Sequence, residues 1–268
     1  MTLGPVTDTD AAWLLGLLQA GDSFYPTGSY AHSFGLEGLV QQGVVRDRAT
    51  LRDFIVLSAL PALRHTDLPL AAHAWRAFGE ANWPRIGELC VLSSALKTAR
   101  EARAASENIG RQRAELMASL RAHPLAQEFL QRASAENWPH ASAVSAALEG
   151  RVLGAPLTAV LAGMAYATLA SLLSAAMKML RLGQNAAQSL LTEALAATPA
   201  IITAAELTAC EDIGWFNPWL IGSSLVFASL SGGIYAVFLL LRGTKRGEFF
   251  AYGPFLFLGT ALAIISPL

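Results

Sequence analysis

The sequence predicts an all-α protein, with a helical body over residues 1–218 and an apolar two-helix hairpin over 219–268. Three observations carry this. Leu169, Leu172, Leu173, Ala176, Met177 and Leu180 recur at i, i+3, i+4, i+7, i+8 and i+11, the spacing of one helix face turned toward a core. Period-two alternation, the mark of a half-buried strand, is almost absent. The 23 residues Trp219–Leu241 and the 18 residues Ala251–Leu268 carry no charge, unlike the ordinarily polar chain before them.

Taken in order, Asp10 stands where an N-cap belongs, ahead of a helix whose Trp13, Leu14, Leu17 and Leu18 share a face. The run DSFYPTGSYAHSFGLE, Asp22 to Glu37, follows, and Pro26-Thr27-Gly28 must turn. Asp47 starts a helix with Leu51, Phe54 and Ile55 at helical spacing, and Pro61 and Pro69 are expected to punctuate what comes next. Ser94–Leu120, rich in Ala, Arg and Glu, reads as one long exposed helix. The helix through Leu169–Leu180 ends at Gly183-Gln184, and another runs through Leu190, Leu191 and Leu195. At roughly 1.5 Å per residue, Trp219–Leu241 is long enough to cross a hydrocarbon core of about 30 Å. The second apolar run is marginal in length, and the basic loop Arg242–Glu248 joins the two. The alternative is a buried helix pair in a soluble domain. A soluble helix normally shows a polar stripe, and Trp219–Leu241 has none beyond Ser and Gly.

Composition excludes several functions. The net charge is −1 and the tail holds +2 of it, which leaves about −3 on the body and argues against a nucleic-acid partner. Cys90 and Cys210 are the only cysteines, so neither a disulfide framework nor a zinc knuckle is expected. No basic run precedes an apolar one at the N-terminus, and no signal peptide is expected. Ser23, Ser33, His32 and Asp22 supply the residue types of a hydrolase but in no known arrangement, with no G-x-S-x-G elbow. Of the histidines, no pair has i, i+4 spacing. His65 and His73 could converge around Pro69, although capping or surface roles fit each histidine better. No phosphate-binding loop is present. Phe24, Tyr25, Tyr30 and Phe34 cluster in the turn-rich run, either as an interface or as core anchors that fix the turn.

That run resembles the N-terminal signature of the UreF family of urease accessory proteins. The matching residues are Gln19, Asp22, Ser23, Pro26, Gly28, Tyr30, Ser33, Gly35, Leu36 and Glu37, with Ser29 where the family has a second glycine. Two further segments are similar to family motifs in the same order: REARAASENIGRQR, Arg100 to Arg113, and SAAMKMLRLGQ, Ser174 to Gln184. Asp212 to Pro218, DIGWFNP, sits where the family has a short Phe-x-Pro run. The resemblance implies a non-catalytic, all-α, usually dimeric cytoplasmic protein with no cofactor of its own. It implies a complex with UreD/UreH and the GTPase UreG that delivers nickel to apo-urease. It carries partner contacts over to Tyr30, Glu37, Lys178 and Gln184.

After Pro218 the sequence departs from that family, whose C-terminal segment contacts UreD/UreH. Residues 221–268 instead resemble the last two membrane helices of a type IV prepilin peptidase, through the basic loop and Tyr252-Gly-Pro-Phe-Leu-Phe-Leu-Gly259. The tail has no aspartate, so proteolysis by this chain is not expected. A loop with Arg242, Lys245 and Arg246 prefers the cytoplasm, which would put both ends of the hairpin outside, against a cytosolic body. The expectation is a urease accessory protein with a tail at the inner membrane. The alternative is a membrane-anchored or non-functional fusion carrying a prepilin peptidase fragment.

Overall fold

The computed structural model describes residues 12–28, 35–214 and 226–235, and the chain divides into two compact units, Met1–Trp215 and Phe216–Leu268. The described residues contain helices and turns and no strand. In the first unit these are α1 (Ala12–Gly21), α2 (Leu36–Gln41), α3 (Arg48–Phe54), α4 (Leu60–Ala62), α5 (Leu68–Gly79), α6 (Trp83–Ala95), α7 (Arg100–Leu120), α8 (Pro124–Glu136), α9 (Ser142–Leu153), α10 (Leu157–Met179) and α11 (Gln184–Leu207). In the second unit the described helix is α12 (Val226–Tyr235). Asp10 and most of the expected hairpin lie outside the described residues.

Helix α9 is the hub. Residues 143–150 are all buried, and the helix packs chiefly against α5 and α7. A helix apolar on every side belongs inside other helices. Around it Leu70, Phe78, Ile86, Leu89 and Phe129 join its own Leu148 in the main core. A second core joins Leu36, Leu51 and Ile55 to Leu169, Leu172 and Leu173 of α10 and Leu190 and Leu191 of α11. The long helices α10 and α11 serve both, since Leu161 and Ile202 belong to the first core. By length and composition alone α10 and α11 could cross a membrane. Half of the apolar window of α10 is instead buried inside the first unit.

Four expectations are corrected. Pro61 and Pro69 do not break the helix: the backbone stays helical from 48 to 79 by widening into π-turns at Ile55–Ala59 and Leu63–Asp67. Each π-turn ends two residues before a proline, where a wider turn gives the ring room against the preceding carbonyls. Ser94–Leu120 is two helices, since α6 ends at Ala95 and α7 begins at Arg100. Nor is α7 simply exposed. Ser106, Gly110, Ala114 and Met117 form a buried stripe, and a Cβ on Gly110 would lie 2.0 Å from the carbonyl oxygen of His140. In α1 the packed position is Gly16, against Leu153, while Leu14, Leu15 and Leu18 are 46%, 66% and 63% exposed. Finally, α10 ends at Met179, and Gly183 and Gln184 are the N-cap and first residue of α11 rather than the end of the helix before.

Asp47 does cap its helix. Its carboxylate accepts from the Thr50 amide at 2.9 Å and the Thr50 hydroxyl accepts from the Asp47 amide at 3.1 Å, a reciprocal capping box. Leu169, Leu172, Leu173 and Ala176 are buried as their spacing predicts.

Candidate partner-binding site

Three sequence segments meet on one side of the first unit. After α1 the chain folds into a tight loop: the Asp22 carboxylate accepts from the Phe24 amide at 2.7 Å, and the Tyr25 and Thr27 amides donate to Asp22 O at 3.0 Å and Tyr25 O at 2.8 Å. Such self-bonding by aspartate is what starts a turn. Gly28, at φ +72°, turns the chain through a conformation that side chains with a Cβ rarely adopt.

The two described aromatics of the loop divide. Phe24 is 93% exposed, whereas Tyr25 is buried. The Tyr25 hydroxyl donates to Glu149 Oε1 at 2.7 Å, and Glu149 Oε2 pairs with Arg113. The Arg113 guanidinium also lies 5.9 Å from the centre of the Tyr25 ring. Burial, and then the neighbouring Glu149, raises the Tyr25 phenol above its ordinary value, so it stays a donor. Glu149 is 2% exposed within the buried stretch 143–150 of the hub helix. A carboxylate there requires both partners, because a buried charge left unpaired is costly. Next to Arg113, the Gln112 amide nitrogen donates to Pro26 O at 3.2 Å and Thr27 O at 2.8 Å, in the orientation fixed by those acceptors. The Arg100–Arg113 segment therefore holds the Asp22–Gly28 loop in place.

Glu37 stands exposed in the first turn of α2, beside Leu36, which is fully buried in the second core. Gly35, the N-cap, has φ +84°. Helix α2 packs on α10, which carries Lys178 in its last turn, exposed to solvent. Gln184 is exposed at the start of α11. A cleft of about 280 Å³ runs between Ala20–Ser23 and the α10 residues Tyr166, Ser171, Ser174 and Met177, closed by Gln188 and Leu191 of α11. The loop of the first segment and the α10 part of the third thus border one cleft. Tyr30, with His32, Ser33 and Phe34, lies outside the described residues.

Among the described residues, several other candidate groups have structural partners. The Asp22 carboxylate is used by its own turn. His123 caps α8 by accepting from the Leu125 amide at 3.2 Å, and His73 Nε2 bonds Thr208 O at 2.9 Å. His65 and His73 form no metal cluster among the described residues. Sequence reading missed the Tyr25–Glu149–Arg113 group. Its signal was a lone glutamate within Ala143–Gly150, a stretch of small and apolar residues.

A family profile described as UreF matches residues 45–195. The chain is 33% identical over 214 residues to urease accessory protein UreF of Paenarthrobacter aurescens, covering 78% of this chain and 92% of that one. It is 34% identical over 185 residues to the protein of that name from Pseudomonas fluorescens, covering 69% and 80%. For Granulibacter bethesdensis the figures are 31% over 220 residues, 81% and 90%.

Proposed function

The chain belongs to the UreF family of urease accessory proteins, and on that premise we propose that it is a non-catalytic scaffold that helps UreD/UreH and the GTPase UreG deliver nickel to apo-urease. The chain binds no cofactor itself and handles nickel only through its partners. The observation that carries this reading is the convergence of three family-like segments on one side of the first unit. There a buried anchor, Tyr25–Glu149–Arg113, supports a loop that presents Phe24 to solvent. An exposed aromatic on a fixed loop is a contact element that loses little entropy on binding. Glu37, Lys178 and Gln184 are the polar contacts assigned to this role, with Tyr30 as a further contact from the same run as the loop.

A homodimer is part of the proposal. The exposed Leu14, Leu15 and Leu18 of α1, beside α10 with its half-exposed Tyr166, offer an apolar surface of the kind that marks an interface. For residues 219–268 the reading is membrane association by a segment resembling the end of a prepilin peptidase, supported by the two charge-free runs. The test is co-purification of the full chain with UreG and UreD/UreH. Glu37→Ala and Lys178→Ala are expected to weaken recovery with an unchanged circular dichroism spectrum. Full recovery in both variants would refute the assigned surface.

A further inference from the structure

The last described residues of the first unit run across α5 and are pinned along their length. His73 Nε2 donates to Thr208 O at 2.9 Å, and Arg76 Nη2 donates to Glu206 O, two residues earlier, at 3.0 Å. Ile213 is buried in the main core. At the far end the Gly214 amide donates to His65 O at 2.8 Å. Gly214 sits at φ +140°, and a Cβ there would come within 3.2 Å of Leu96. This conformation favours glycine.

The acceptor at that far end has a particular origin. In an α-helix the His65 carbonyl would receive the amide of residue 69, and residue 69 is proline, which has none. His65 also lies within the π-turn Leu63–Asp67, where the regular ladder is interrupted. A carbonyl that has lost its α-helical donor is open to another. Gly214 is that donor.

We propose that Thr208–Gly214 is a clasp whose terminal anchor is created by Pro69, and that it opens and closes as a local unit while the helical core stays folded. The proline does not break the helix. It vacates an acceptor, and the strap docks on it, at the π-turn that precedes α5. Few bonds hold this segment and Ile213 is its main apolar anchor, so it belongs to the low-stability end of the molecule.

The experiment is hydrogen exchange on the full chain, read at the Gly214 amide and at core amides such as Leu89 and Leu148. Pro69→Ala returns an in-helix donor to His65 O. The expected result is Gly214 exchange faster by roughly threefold to tenfold, the worth of one weakened hydrogen bond, with core amides unchanged. Unchanged exchange at Gly214, or equal acceleration of the core amides, overturns the clasp. Pro69 is buried, so His73→Leu, which removes the near pin, provides a second arm. Faster Gly214 exchange at unchanged core rates supports opening as a unit, and an unaltered Gly214 rate refutes it.

Discussion

Tyr25, Glu149 and Arg113 show how a single buried carboxylate organises an exposed loop. Removing either partner should destabilise the protein, but unequally. Tyr25→Phe leaves Glu149 paired with Arg113 and loses one hydrogen bond to a charge, for a cost of about 1.5–3 kcal/mol. Arg113→Met leaves a negative charge buried with one neutral donor and should cost more, about 3–5 kcal/mol. Urea unfolding of the two variants measures the order, and a milder effect for Arg113→Met would contradict the assignment of the ion pair. Glu37 is the opposite case. Exposed on a short helix, it should tolerate Ala with an unchanged melting temperature while urease activation falls. Two histidines add a pH dependence. Burial holds His140 and His65 below the usual histidine value; Arg64 adds to the effect at His65, whereas Glu115 opposes it at His140. The unfolded chain therefore takes up protons first as pH falls. The stabilising contribution is complete above about pH 6.5, the unfolded value, and is lost as pH drops through the folded values. Thermal midpoints should decline below about pH 6.5, and His140→Phe should flatten that decline. An unaltered slope would remove His140 from the explanation.

At the scale of elements, legibility in the sequence followed side-chain size. Leu169–Leu173 announced α10 because large apolar residues recur at helical spacing, and Asp47 announced its helix because capping is local chemistry. The buried stripe of α7 was invisible because it is made of Ser106, Gly110 and Ala114, residues chosen for closeness rather than hydrophobicity. The break between α6 and α7 carries neither Gly nor Pro. Prolines misled in the other direction, since π-turns absorb Pro61 and Pro69. Of the candidate site, sequence reading named only motif-like residues such as Glu37, Lys178 and Gln184. Glu149 and its partners are 124 and 36 residues apart in sequence, and no local pattern joins them. The close approach of α7 makes a sharp contrast testable. Gly110→Ala drives a methyl group into backbone at His140 and should cost about 1–3 kcal/mol. Gly163→Ala in α10 meets nothing within 4 Å and should stabilise by about 0.5–1 kcal/mol. Equal midpoints for these variants in denaturant would show that the α7 contact is not tight.

For the whole molecule, two compact units of different composition raise different expectations. The first is a compact unit whose described residues form helices around two cores and a hub. Residues 1–218 expressed alone should therefore be soluble and strongly helical by circular dichroism. The full chain should instead partition with membranes or aggregate, because Trp219–Leu241 has no charge to oppose insertion and each central Leu, Ile, Phe or Val favours it by roughly 0.3–0.6 kcal/mol. Fractionation of the two forms checks this, and a full chain that stays monomeric without detergent would contradict it. Service to urease is decided by one measurement: nickel-dependent urease activity in cells whose own UreF has been deleted, complemented with this chain. Activity well above the deletion background is the expected result, reduced when Glu37→Ala replaces the parent. Activity that stays at background, with the chain present and folded, would contradict the claim.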